Sequence, residues 1–167
     1  MDAKTIRSIQ APIKQKYNDD PKSAVVTLRA SGKTGENLSC KVDTGKAIVE
    51  AGLHPATGGS GLQACSGDML LEALAACAGV TLNTVATAIN IQLDSAEVIA
   101  EGDLDFRGTL GVSKEVPVGF REIRLHFNLK TSANTDEISA LLRLTERYCV
   151  VYQTLKAGNQ VKVSHTV

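Results

Sequence analysis

Four thiols, at Cys40, Cys65, Cys77 and Cys149, hold most of the reactive chemistry open to this sequence. None are spaced as CxxC, and His54, His126 and His165 are scattered, so no metal-ligand spacing is present. Each histidine reads as a surface or structural residue, and no metal site is expected. A thiol with an ordinary pKa of ~8.5 is mostly protonated at neutral pH, so a working cysteine needs a cation or a dipole beside it. Cys77 lies between Ala76 and Ala78, small neighbours that let another backbone come close. Free cysteine is also among the most buried residue types, so two inert core thiols remain an open reading. An acyl-type nucleophile would need a His or Asn partner, and none is convincingly placed.

The stretch from residue 66 to 89, SGDMLLEALAACAGVTLNTVATAI, must position Cys77. It is rich in Leu, Ala and Met, holds no Pro, and is apolar almost all round, which predicts a buried helix. Ser66 is the expected N-cap, and Asp68 would complement the positive end of the helix dipole. The apolar run from Met69 to Val80 is far shorter than the ~20 residues a bilayer needs and contains Glu72, so no membrane span is expected.

Residues 1–22 read as an N-terminal arm or short helix, with Ile6, Ile9, Ile13 and Tyr17 at helical spacing. Residues 23–167 read as one domain. Strands are expected at 24–29, near 37–42 and at about 46–50, with a turn over Ser31-Gly32-Lys33-Thr34-Gly35, as an antiparallel meander. The loop 51–65 is glycine-rich, but GGSG fits neither GxxxxGK[ST] nor GxGxxG, which argues against a phosphate cradle. Two more strands are expected in 93–110 and 120–130, where apolar residues alternate. A second helix opens at Thr135 with an amphipathic period and runs through Cys149 to a stop at Gly158. Residues 160–167 read as a closing strand. The order predicts an α+β fold with helices covering antiparallel sheets.

Lys plus Arg and Asp plus Glu each number 18, with no cluster of either sign, which argues against a nucleic-acid or membrane-surface role. The first twenty residues lack the apolar core of a signal peptide. A cytosolic protein is expected, where disulfides are mostly catalytic or redox-sensing.

The mid-helix cysteine in LEALAAC and the later run C-V-V-Y-Q-T-L-K-A resemble the OsmC-like family, which includes the Ohr organic hydroperoxide reductases. In the second motif Cys149, Val151, Gln153, Leu155, Lys156 and Ala157 match, while Val150 stands where Pro is usual. The resemblance implies an intertwined homodimer whose two long central helices lie between sheets. It also implies a thiol peroxidase acting on organic hydroperoxides in an oxidative stress response. Cys77 would be the peroxidatic cysteine and Cys149 the resolving one, joined in a redox-active disulfide that an external dithiol such as a lipoyl group reduces. No metal or bound cofactor is implied. The family's charged partners of the thiolate, an Arg from the first hairpin and a Glu before the central helix, would correspond to Arg29, with Lys33 as the alternative, and to Asp68.

Asp68 lies nine residues before Cys77, and at ~100° per residue it falls on the far face of a straight helix. Joining Cys77 would take an irregular first turn or the partner subunit. Cys65 reads as an accidental thiol or an alternative resolving partner, and Cys40 as a structural strand residue. A competing reading is a non-catalytic module of the same fold that binds a small apolar ligand in the dimer cleft.

Overall fold

The computed structural model describes residues 2–20, 31–34, 40–43 and 48–166. It divides the chain into two compact units, each built from separated segments. The first comprises Met1–Ile6, Ala73–Ile99 and His126–Val167; the second comprises Arg7–Glu72 and Ala100–Leu125. Four elements, α1 (Ala3–Asp19), α2 (Ser66–Ala88) and the two strands of the pair described below, have residues in both.

In the second unit a four-stranded sheet joins β1 (Ser31–Thr34), β2 (Cys40–Asp43), β3 (Ile48–Gly52) and β4 (Ala64–Cys65). The first three pair antiparallel, with Lys33 opposite Lys41 and Val42 opposite Val49. Two expectations change here. Ser31–Thr34, read as a turn from its glycine, is a strand, because pairing along β2 outweighs a local turn preference that extended glycine does not contradict. The sheet is also not a pure meander, since β4 runs parallel to β3 in the register Ala51 to Ala64 and Gly52 to Cys65. The expected strand at 24–29, with Arg29, lies outside the described residues.

Between β3 and β4 the chain makes a 3-10 turn at Pro55–Thr57, capped by His54, whose Nδ1 accepts the Ala56 N–H at 3.0 Å. Gly59 folds back so tightly that a Cβ there would overlap the Leu53 carbonyl, a position only glycine can occupy.

Helix α2 begins at Ser66 itself rather than one residue later. By length and mean hydropathy it could cross a membrane, yet it carries Asp68 and Glu72, and Leu74, Ala78, Leu82, Val85 and Ala86 form a buried stripe along it. It is therefore buried along one stripe rather than all round: Val80 is 69% exposed. β5 (Ser95–Asp103) and β6 (Glu122–Lys130) pair antiparallel, with Asp94 N–H bonding Lys130 O at 2.8 Å and Arg121 N–H bonding Asp103 O at 2.9 Å. β5 ends earlier than its alternation suggested because Asp105 accepts the Arg107 N–H and caps the short helix α3 (Phe106–Thr109).

The core of the first unit is Leu82, Val85 and Ala86 of α2 against Leu141, with Val98, Phe127 and Leu129 of the strand pair packed around them. Leu141 belongs to α4 (Thr135–Tyr148). Its start is fixed by a capping box: the Asn134 side chain accepts the Glu137 N–H at 3.0 Å, and Glu137 accepts the Asn134 N–H at 2.8 Å. α5 (Val150–Ala157) follows after a single non-helical residue and stops at Gly158, whose φ of 61° suits glycine. The closing strand expected over 160–167 does not form in residues 160–166. Alternating apolar residues make a strand only where an edge accepts them, and Val161 and Val163 stand 86% and 92% exposed.

Candidate active site

The single non-helical residue between α4 and α5 is Cys149. It has an extended backbone (φ −73°, ψ 108°), closes α4 by donating its N–H to Thr145 O at 2.9 Å, and opens α5 by accepting the Gln153 N–H at 3.0 Å. The helix expected to run through Cys149 breaks there and restarts with valine at residue 150. Gln153 fixes the corner further: its Nε2 donates to the Glu146 carbonyl at 2.8 Å, while the Tyr152 hydroxyl donates to the Glu146 carboxylate at 3.0 Å. Cys149 is 1% exposed and uses no side-chain hydrogen bond to cap its own helix.

Cys77, half-buried on α2, faces this corner. Both cysteines belong to the first unit, and both thiols are free. Burial alone would push the Cys77 thiol up. The Val151 N–H, the Cys149 S–H, the Val150 N–H and the Thr81 hydroxyl outweigh it, and the Cys77 pKa falls below that of an ordinary thiol. Thr81 has one hydroxyl proton, which it gives to the Cys77 carbonyl at 2.8 Å, so we weight the main-chain donors above it. Cys149 moves the other way. Burial raises it first, the Tyr152 N–H pulls against that, and the neighbouring Cys77 sulfur raises it again.

The physical origin is the start of α5. The first intrahelical bond there is Gln153 N–H to Cys149 O, so the N–H groups of residues 150 to 152 have no helical acceptor. They carry the positive end of the helix dipole. A fresh helix terminus would ordinarily favour the thiolate of its own first cysteine. Instead, the Val150 and Val151 donors lower the Cys77 thiol, and Cys149 is left as a buried S–H donor. Cys77 needs no terminus of its own helix because another helix presents one.

Of the other expected site residues, Asp68 and Lys33 belong to the second unit. Asp68 is exposed in the first turn of α2, in the second unit, about 13.5 Å of axial rise from Cys77. It lines a 330 Å³ cavity with His54, Cys65, Phe106 and Phe120. His54 stacks on Phe106 there, with centroids 4.9 Å apart, which makes it a structural histidine as expected. Lys33 lies in β1, also in the second unit, and Arg29 lies outside the described residues. Thr81 and the α5 donors were missed in the sequence. Thr81 was legible as the residue four positions after Cys77, whereas main-chain donors leave no residue-type signal.

Two adjoining grooves reach the corner. One of 450 Å³ is lined by Arg147, Tyr148, Cys149, Val150 and Gln153 among others, and one of 750 Å³ runs along Arg143, Arg147 and Lys156.

A mixed fold with a long apolar helix carrying one thiol, and a second thiol at a helix break, defines a class of small thiol proteins. The family pattern of OsmC-like protein matches residues 59–164, more than half of the chain, and the chain belongs to that family. Its fold is that of the OsmC-like protein from Mycoplasma pneumoniae, with a TM-score of 0.68 at 20% identity, covering 80% of this chain and 89% of that one. An organic hydroperoxide resistance protein from Elizabethkingia anophelis matches with a TM-score of 0.62 at 23% identity, covering 81% and 91%. One from Legionella pneumophila, described as an organic hydroperoxide resistance protein OsmC, matches with 0.62 at 21% identity, covering 79% and 90%. Comparison with curated proteins returned no match.

Proposed function

We propose that this protein is a thiol-dependent peroxidase that reduces organic hydroperoxides. The observation that carries the reading is the opposed pair: an acidified, half-exposed Cys77 beside a buried, proton-holding Cys149. Such a pair separates attacker from resolver, because the thiolate is the nucleophile.

The Cys77 thiolate attacks the outer oxygen of ROOH, the O–O bond breaks, and the alkoxide leaves and is protonated to ROH. Cys77 is left as a sulfenic acid. Cys149, deprotonated as it attacks, forms the Cys77–Cys149 disulfide and expels the sulfenic oxygen as water. Two thiols and ROOH thus become a disulfide, ROH and H₂O. An external dithiol such as a lipoyl group returns both thiols by exchange, which suits a cytosolic protein. Organic rather than inorganic peroxide is favoured by the exposed Val150 in the groove beside Cys149 and by relatives that are described as organic hydroperoxide resistance proteins.

The working form we propose is a homodimer. Only 28% of the most apolar window of α2 is buried within the chain, and Val80, Val161 and Val163 remain exposed, which a second copy would cover. Arg29 and Asp68 would be the charged partners of the Cys77 thiolate, as the family resemblance implies.

Peptide mapping before and after one equivalent of cumene hydroperoxide tests the chemistry. A Cys77–Cys149 disulfide forming within seconds is the expected result. Thiols that stay free, or oxidation confined to Cys65, would end the peroxidase reading.

A further inference from the structure

The break at Cys149 costs α4 a main-chain hydrogen bond. In an unbroken helix the Glu146 carbonyl would accept the N–H of residue 150, four positions on. Here the chain turns at Cys149, whose own N–H still reaches Thr145 O at 2.9 Å, and the next main-chain bond across the corner is Gln153 N–H to Cys149 O at 3.0 Å. The Glu146 carbonyl is taken instead by a side chain: Gln153 Nε2 donates to it at 2.8 Å. Gln153 therefore grips both sides of the corner. Its N–H binds the Cys149 carbonyl, and its side-chain amide binds the last turn of α4.

We infer that the Gln153 side chain is a positioning residue for the resolving step: it replaces the main-chain donor lost at the break and holds Cys149 ready to bond the Cys77 sulfur. The last carbonyls of a helix need such a partner, and a side chain that supplies one fixes the direction in which the chain leaves. Cys149 makes no cap bond through its side chain, so the backbone on either side decides where its sulfur sits. Resolution depends on that placement. A disulfide closes only when the two Cα atoms lie within about 7 Å and their Cβ atoms face each other. A Cys149 free to swing would have to be ordered as the bond forms, at a cost in conformational entropy.

The inference rests on reading Cys77 and Cys149 as a redox pair. Its test replaces peroxide with glutathione disulfide, so failure of the peroxidase and failure of the Gln153 hold are distinguishable. The Cys77 thiolate attacks glutathione disulfide, forms a mixed disulfide and releases one glutathione. Cys149, giving up its proton, then attacks the Cys77 sulfur, closes the Cys77–Cys149 disulfide and expels the second glutathione. The equilibrium ratio of that disulfide to the mixed disulfide, at fixed glutathione, reads how well Cys149 is placed.

Reduced protein is equilibrated in a glutathione redox buffer, quenched with acid and mapped by mass spectrometry, with the glutathione adduct of the free thiol Cys65 as internal standard. Gln153→Met, of similar length but without a donor, is expected to lower the ratio about fivefold, the loss of one ordinary hydrogen bond. Tyr152→Phe is expected to follow the parent, because it cuts the 3.0 Å bond to the Glu146 carboxylate and leaves the carbonyl held. An unchanged ratio in Gln153→Met, or an equal fall in Tyr152→Phe, would overturn the inference. Should circular dichroism show Gln153→Met unfolded, Gln153→Glu keeps the shape and, ionised at neutral pH, has no donor. It is expected to show at least the same fall, and a ratio equal to the parent's would refute the hold. A parent that forms the mixed disulfide but never the Cys77–Cys149 bond would sink the inference together with the pair.

Discussion

The two cysteines are chemically similar, and their environments alone assign them different parts, so separate removal is the sharpest test of the site. Replacing Cys149 with Ala deletes one of the four groups that lower Cys77, and leaves the Val150 and Val151 donors in place. A single hydrogen bond to a charged acceptor is worth about 1.5 kcal/mol at the low end, and 1.4 kcal/mol is about tenfold. A thiol is a weak donor, so the first-turnover rate of Cys149→Ala should fall by less than about tenfold. The product should change completely: the sulfenic acid on Cys77 has no resolving thiol and accumulates, trapped by dimedone as a single adduct. Cys77→Ala should consume no peroxide at all. Stopped-flow peroxide consumption with intact-mass analysis reads both outcomes. If Cys149→Ala were inactive and Cys77→Ala consumed peroxide, the roles would be reversed, and the argument from the α5 terminus would be wrong.

The same environments set a pH signature in stability. The folded Cys77 pKa is depressed, so its contribution is present above the ordinary thiol value near 9.0 and is lost as pH falls through its lowered midpoint. The folded Cys149 pKa is raised, so its contribution is present below that value and is lost as pH rises through its higher midpoint. Urea denaturation of reduced protein should therefore show Cys149→Ala gaining relative to Cys77→Ala as pH rises, and a constant gap between them would refute the opposed shifts. Leu141→Ala, at a fully buried core position, should cost about 2–5 kcal/mol by the same assay, and a loss under about 1 kcal/mol would misplace the core. Val80→Asp, on the exposed line of α2, should yield a monomer by sedimentation equilibrium, whereas an unchanged dimer would move the interface elsewhere.

Much of this was legible where a single local rule governs. The run of Leu, Ala and Met fixed α2 to within a residue, Gly158 marked the end of α5, and two-residue alternation located β5 and β6. Errors fell where a partner segment decides. Ser31–Thr34 looked like a turn because glycine signals one, and only pairing with β2 makes it a strand. Val161 and Val163 alternate like a strand but pair with no strand among the described residues. The capping box of Asn134 and Glu137 was readable as Asn followed three residues later by Glu, and was overlooked in favour of Thr135. At the site both thiols were identifiable from their motifs. Their electrostatics were not, because the donors are backbone N–H groups of another helix, which residue types do not encode.

The segmented build of the first unit bears on how the protein acquires activity during synthesis. Cys77 emerges on residues 73–99, but the α4–α5 corner with Cys149 lies beyond residue 126, with residues 100–125 of the second unit between them in the chain. Contacts of such long sequence separation form late and slowly. Under the proposed chemistry the Cys77 sulfur meets its partner thiol only once α4 and α5 have been made and packed.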